Sequence, residues 1–143
     1  MFRKLTDDIL VAPQIDLDAV AQAAKDGVTL IINNRPEDEA ADQTPGPDIE
    51  AAARAAGLDY VAIPVTHAGF AEWQVTAMAD ALENAEGKVL AYCRSGTRST
   101  LLWALAQAST GHHPAVLNEA AADAGYDLSP VTAMMDLLRG RAS

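Results

Sequence analysis

The run VLAYCRSGTRS, Val89 to Ser99, holds the chain's single cysteine, Cys93, between an apolar stretch and a loop of Arg94, Ser95, Gly96, Thr97, Arg98 and Ser99. A thiol does chemistry as its thiolate, and neighbouring positive charge favours that form. Arg94 and Arg98 supply the charge, and the planar guanidinium of Arg98 suits an oxyanion held by two parallel hydrogen bonds. Gly96 permits a backbone angle that a side chain resists. The chemistry implied is an anion cradle with a nucleophile at its base: Cys93 and Arg98 catalytic, with Arg94, Ser95, Gly96, Thr97 and Ser99 around the anion. The plainer alternative is a buried small hydrophobe followed by turn and cap residues. It leaves two arginines and a glycine within five residues of the cysteine unexplained.

Such a loop works only if a strand delivers it and a helix receives it. Lys88 to Tyr92 reads as a buried strand and Arg98 to Ser109 as a helix apolar nearly all round. A turn between them directs successive backbone N–H groups, and the positive end of the helix dipole, at whatever the turn encloses. Upstream, Leu5 to Ala12 suggests an edge hairpin around Thr6-Asp7-Asp8. Asp16 is placed to cap a helix that Gly27 ends, and Val28 to Ile32 is a β-branched strand. Asn33 to Asp48 is a polar connector, Asp48 to Gly57 an alanine-rich helix capped by Asp48, and Tyr60 to Val65 a strand. Val75, Met78, Ala79 and Leu82 form a helical stripe that stops near Gly87. Two helices, about Pro114 to Ala124 and Pro130 to Arg139, follow, the second capped by Ser129 before Pro130. Strands alternating with helices predict one α/β domain with a mostly parallel central sheet and helices on both faces. Ligands of such sheets lie beyond the carboxyl ends of the strands, where Cys93 falls.

Composition narrows the partners. The 143 residues are half hydrophobic, enough for one domain with a core. A net charge of −10 argues against nucleic acid and anionic membranes; a small anionic substrate is expected from the arginines of the Cys93 loop. No apolar segment reaches the roughly 18 residues of a membrane span. Aspartates interrupt MFRKLTDDILVAPQ where an export signal would be apolar, so the expected compartment is the cytoplasm. One cysteine forms no internal disulfide, so a persulfide on it would need an external thiol acceptor.

The loop Cys93 to Arg98 resembles the Cys-Arg-x-Gly-x-Arg loop of rhodanese-type sulfurtransferases and, one residue short, the Cys-x5-Arg loop of tyrosine and dual-specificity phosphatases. With GVTLIINNRPEDE and IEAAARAAGLDYVAIPV, it resembles the phosphatase-like domain of the β-lactamase-hydrolase-like proteins, a family also described as sulfur transferases. The resemblance runs from about Leu5 to Ser109; it implies a tyrosine-phosphatase-like fold, with Cys93 as nucleophile and Arg98 as anion holder. Two departures bear on the reaction. The ring is one residue shorter than the phosphatase ring, and PVTHAGFAEW has no aspartate where dual-specificity phosphatases carry their general acid. A positioned acid is worth roughly 10²- to 10⁴-fold. Sulfur transfer needs no such proton, so the leading expectation is transfer of a sulfane sulfur from thiosulfate or a glutathione persulfide through Cys93 to a thiol. The alternatives are phosphate-monoester hydrolysis through phosphocysteine and an anion-sensing or persulfide-carrying module without turnover.

Further candidates surround this core. His67 and Glu72 are the substitutes for the missing acid, and Arg35 falls where the implied scaffold runs a strand into a loop near the site. For Arg35 an exposed ion pair among acids is the ordinary alternative. His112 and His113 sit in a helix-ending turn without a second cysteine or a spaced carboxylate, so no metal and no cofactor is expected. Trp73, Met78 and Trp103 read as core, and the 33–48 connector as either a lid or a solvated acidic face.

Overall fold

The computed structural model describes residues 2–142. Five strands form one sheet: β1 (Arg3–Thr6), β2 (Ile9–Ala12), β3 (Val28–Asn33), β4 (Asp59–Ala62) and β5 (Lys88–Tyr92), in the order β1-β2-β5-β3-β4. Only β1 with β2 is antiparallel; the other three pairings are parallel, as expected for strands joined by helices. Among the described residues there are six α-helices: α1 (Leu17–Lys25), α2 (Gly46–Ala55), α3 (Glu72–Asn84), α4 (Thr97–Ser109), α5 (Pro114–Asp123) and α6 (Thr132–Ala142).

Strand alternation sorts the core into two halves. On β5, Leu90 and Tyr92 join Ile31 against α1 and α2, with Val20, Ala23, Ile49 and Ala53. Val89 and Ala91 point the other way, with Val11 and Ile32, into a larger core built by α3, α4, α5 and α6. Both faces are therefore covered. Leu101 to Ala106 of α4 are all buried, because α4 is enclosed by the sheet, α3 and α6. The apolar circumference in the sequence already required this.

Several boundaries differ from the sequence reading. The second helix starts at Gly46, behind Pro45 and with Pro47 in its first turn, so Asp48 lies inside it and does not cap it. The fourth strand ends at Ala62; Ile63 and Val65 continue as extended chain whose amides donate to Asn33 and Asn34. Ser129 caps nothing: it bonds back to Asp127, and Ser129–Val131 is a 3-10 turn before α6. Trp73 is 55 % exposed on the outer side of α3, contrary to its assignment to the core, whereas Met78 and Trp103 are buried. No helix among the described residues is long and apolar enough to cross a membrane.

Candidate active site

Register sets the site. Ala12, Asn33 and Tyr92 lie level across three parallel strands, and Ala62 is level with Asn33. The residues just beyond these ends (Gln14, Arg35, Val65 and Cys93) therefore emerge together at the carboxyl edge. Backbone bonds fix the exits: Cys93 N to Ala12 O, Asn34 N to Tyr92 O, and Gln14 N to Arg94 O.

Cys93 is fully buried at the base of the loop. Gly96 N–H donates to Cys93 Sγ at 3.1 Å. Gly96 has φ +89°, in the left-handed region, and immediately precedes the first turn of α4. Its carbonyl accepts from Thr100 N and from Thr100 Oγ1, so the helix is anchored on the loop. A Cβ at Gly96 would collide with the Tyr126 hydroxyl. Both the backbone angle and the space thus demand glycine. The expected ring of inward amides is only partly formed in this state, since Thr97 N–H turns to Ser95 Oγ at 3.4 Å. Ser95 and Thr97 are exposed and bonded to each other, and Arg94 is exposed at the rim. Ser99 is buried, and its Oγ has no hydrogen-bond partner among the described residues.

Arg98 is turned inward. Its Nη1 donates to Val65 O at 2.6 Å and to Glu39 Oε2 at 2.7 Å, and its Nη2 donates to Glu39 Oε1 at 2.8 Å. A carboxylate therefore sits in the fork that the sequence reserves for an oxyanion. Arg35 Nε joins the same Oε1 at 3.0 Å, and Arg35 Nη1 reaches Gln14 Oε1. Arg35 is only 5 % exposed, so it is a buried partner in this cluster and not the surface ion pair of the ordinary reading. Hydrogen bonds from Arg98 bring the Glu39 carboxyl down from 4.5 to about 2, against burial and with help from Arg35. The same bond raises Arg98, against burial, and the charge of Cys93 adds to the rise. Glu39 holds no proton at neutral pH in this state; it is a counter-ion, not an acid.

The 34–45 connector delivers that carboxylate, and it is well tied. Glu39 N bonds Gln43 Oε1, Gln43 Nε2 bonds Pro36 O, and Gly46 N bonds Glu37 Oε1. Asn33 Oδ1 accepts from Arg35 N, turning the chain at the strand end. The connector is thus joined to the loop through the Glu39–Arg98 pair. Neither a lid nor a merely solvated face describes it fully.

His67 and Glu72 are exposed, in the turn and the helix start that follow Val65. Neither is hydrogen-bonded to the loop, although their segment touches it through the Val65 carbonyl. His112 and His113 serve the α4–α5 turn: His112 Nδ1 lies 3.1 Å from Gln107 O, and His113 Nδ1 accepts from Ala115 N. The sequence reading missed Glu39, Gln14 and Tyr126. Glu39 is one of several acids in a connector without periodicity, so nothing singled it out. Nothing local marks the other two.

Comparison with known proteins agrees with this fold. Curated relatives named "Beta-lactamase hydrolase-like protein" match from Xylella fastidiosa (strain Temecula1 / ATCC 700964), 37 % identical over 126 residues, and from Agrobacterium fabrum (strain C58 / ATCC 33970), 29 % over 134. These matches cover 87 % and 93 % of this chain but only 29 % and 31 % of the relatives, so the chain spans about a third of their length. Among solved structures, nma1982 of Neisseria meningitidis z2491, a proposed phosphatase, is similar with a TM-score of 0.82 and 31 % identity, covering 96 % of this chain and 97 % of that one. Tk-PTP in its active form shares the fold at a TM-score of 0.73 and 13 % identity, covering 99 % and 95 %. The fold is that of the tyrosine and dual-specificity phosphatases. These relatives lend nothing to the rhodanese reading of the loop. Residues 1–110 match the model of the Beta-lactamase hydrolase-like protein, phosphatase-like domain, and the chain belongs to that family.

Proposed function

We propose that the chain is a cysteine-dependent phosphatase acting on phosphate monoesters with acidic leaving groups. One observation carries the reading: at the mouth of a buried helix, the Gly96 amide is aimed at Cys93 Sγ beside the inward guanidinium of Arg98. The phosphatase-like description of the family's domain and the phosphatase names of the solved neighbours favour it over sulfur transfer, the leading expectation from sequence. In the first step Sγ attacks phosphorus, an S–P bond forms, and the bond to the leaving oxygen breaks. Loop amides hold the phosphoryl oxygens as charge redistributes, with Arg98 once the substrate has displaced Glu39 from its fork. Water then attacks phosphorus, the S–P bond breaks, and inorganic phosphate and the thiolate are released.

With no carboxylic acid on the loop, the leaving oxygen takes its proton from water or from His67. Aryl phosphates, whose leaving groups need that proton least, should therefore be turned over far faster than alkyl phosphates. A series of phenyl phosphates tests this: kcat/KM should fall steeply as leaving-group basicity rises, and Cys93→Ser should abolish turnover of all of them. A flat series would contradict the acid-poor mechanism. Residual turnover in Cys93→Ser would contradict the nucleophile.

The six-residue ring supports a second reading, sulfur transfer through a Cys93 persulfide to an external thiol. Thiosulfate turnover exceeding aryl phosphate turnover by the same preparation would favour it.

A further inference from the structure

The peptide unit joining Ser95 to Gly96 is held from both sides. Its N–H reaches Cys93 Sγ at 3.1 Å, and its carbonyl accepts from the Tyr126 hydroxyl at 3.2 Å. In a trans peptide the C=O and N–H lie in one plane and point in opposite directions. A donor on the oxygen therefore fixes the plane that aims the N–H at sulfur. It also polarises the amide; linked hydrogen bonds strengthen one another by about 10–30 %.

Tyr126 is itself held in place. Arg3, on the edge strand β1, donates to Ala124 O at 2.9 Å, and its guanidinium carbon lies 5.3 Å from the centre of the Tyr126 ring. The hydroxyl lies so close to Gly96 that a methyl there would strike it. Burial first, and the charge of Cys93 in addition, raise the Tyr126 phenol above its ordinary value, while Arg3 opposes. Tyr126 thus stays a proton donor near neutral pH. It also lies beyond residues 1–110, outside the span that the family model matches.

We propose that Tyr126 is a positioning residue for the nucleophile: through the Ser95–Gly96 peptide it orients and strengthens the amide hydrogen bond on Cys93 Sγ and so favours the thiolate. The inference rests on Cys93 being the nucleophile, whatever group it transfers. Besides Tyr126, the side chain that interacts with the sulfur is the charged Arg98 on α4; Glu39 and Arg35 of the connector are paired with it or with each other, Arg94 is exposed on the loop, and Arg3 stacks on the tyrosine ring. The Tyr126→Phe substitution leaves all of these in place and keeps the ring.

The test is the pH profile of Cys93 alkylation by iodoacetamide in the full chain, with melting temperature measured alongside. In Tyr126→Phe the midpoint should move upward by a few tenths of a pH unit, so that alkylation below both midpoints slows about two- to five-fold. The plateau rate at high pH should be unchanged. Superimposed profiles would overturn the proposal, as would a lower melting temperature with an unmoved midpoint, which is the mark of a merely structural contact. If wild-type Cys93 is alkylated only at strongly alkaline pH, the nucleophile reading fails together with it.

Discussion

Arg98 is the residue on which the site turns. Its fork is occupied by Glu39, with side chains only 11 % and 17 % exposed, and removing one partner of such a pair strands the other's charge. Glu39→Gln should lower stability at neutral pH by about 2–4 kcal/mol. The two buried arginines then lack their counter-ion, so inorganic phosphate should raise the melting temperature of the variant more than that of the wild type. Thermal melts with and without phosphate check both statements. The pH dependence has a definite sign. The folded Glu39 value lies below the ordinary one, so its stabilisation is complete above about pH 4.5 and is lost as pH falls toward 2. The stability difference between wild type and Glu39→Gln should shrink across that window. Arg98→Lys keeps the charge but loses the fork, and should cut aryl phosphate kcat/KM by about 10²-fold or more.

At the scale of elements, the strand–loop–helix unit from Lys88 to Ser109 was plain in the sequence. An apolar run, a glycine and a helix without a polar face each report local geometry. Gly96→Ala is the sharpest probe of that unit. The left-handed angle alone costs an alanine roughly 1–2 kcal/mol, and the collision with Tyr126 adds to it. We expect loss of turnover and a destabilisation of about 2 kcal/mol or more, measured by denaturant unfolding. The 34–45 connector was less legible, because its fold is set by hydrogen bonds from Gln43 and Glu37 that follow no period. For the same reason an exposed ion pair stood beside the site reading of Arg35: its partner Gln14, 21 positions away, is brought near only by the sheet register. Cys93, Gly96 and Arg98 could be named from composition alone; Tyr126 stands 31 positions from the carbonyl that it serves.

The molecule as a whole uses its C-terminal part to complete the core. Leu117, Ala121, Leu128, Val131 and Met135 are buried with α4, although they lie beyond the residues matched by the family model. A chain ending at residue 110 would bare one side of a helix that is buried nearly all round. It should lose cooperative unfolding, as seen by circular dichroism during heating, whereas the full chain melts in one transition. The net charge of −10 is spread over the surface, while Arg3, Arg35, Arg94 and Arg98 gather at one end of the sheet. The proposed anionic substrate would meet guanidinium groups at that end. The central claim is that Cys93 carries the transferred group, and rapid acid quenching of the enzyme during aryl phosphate turnover, followed by peptide mass analysis, tests it most directly. A phosphoryl group on the peptide containing Cys93 is the predicted result. An unmodified Cys93 during active turnover, or phosphate on any other residue, would contradict it.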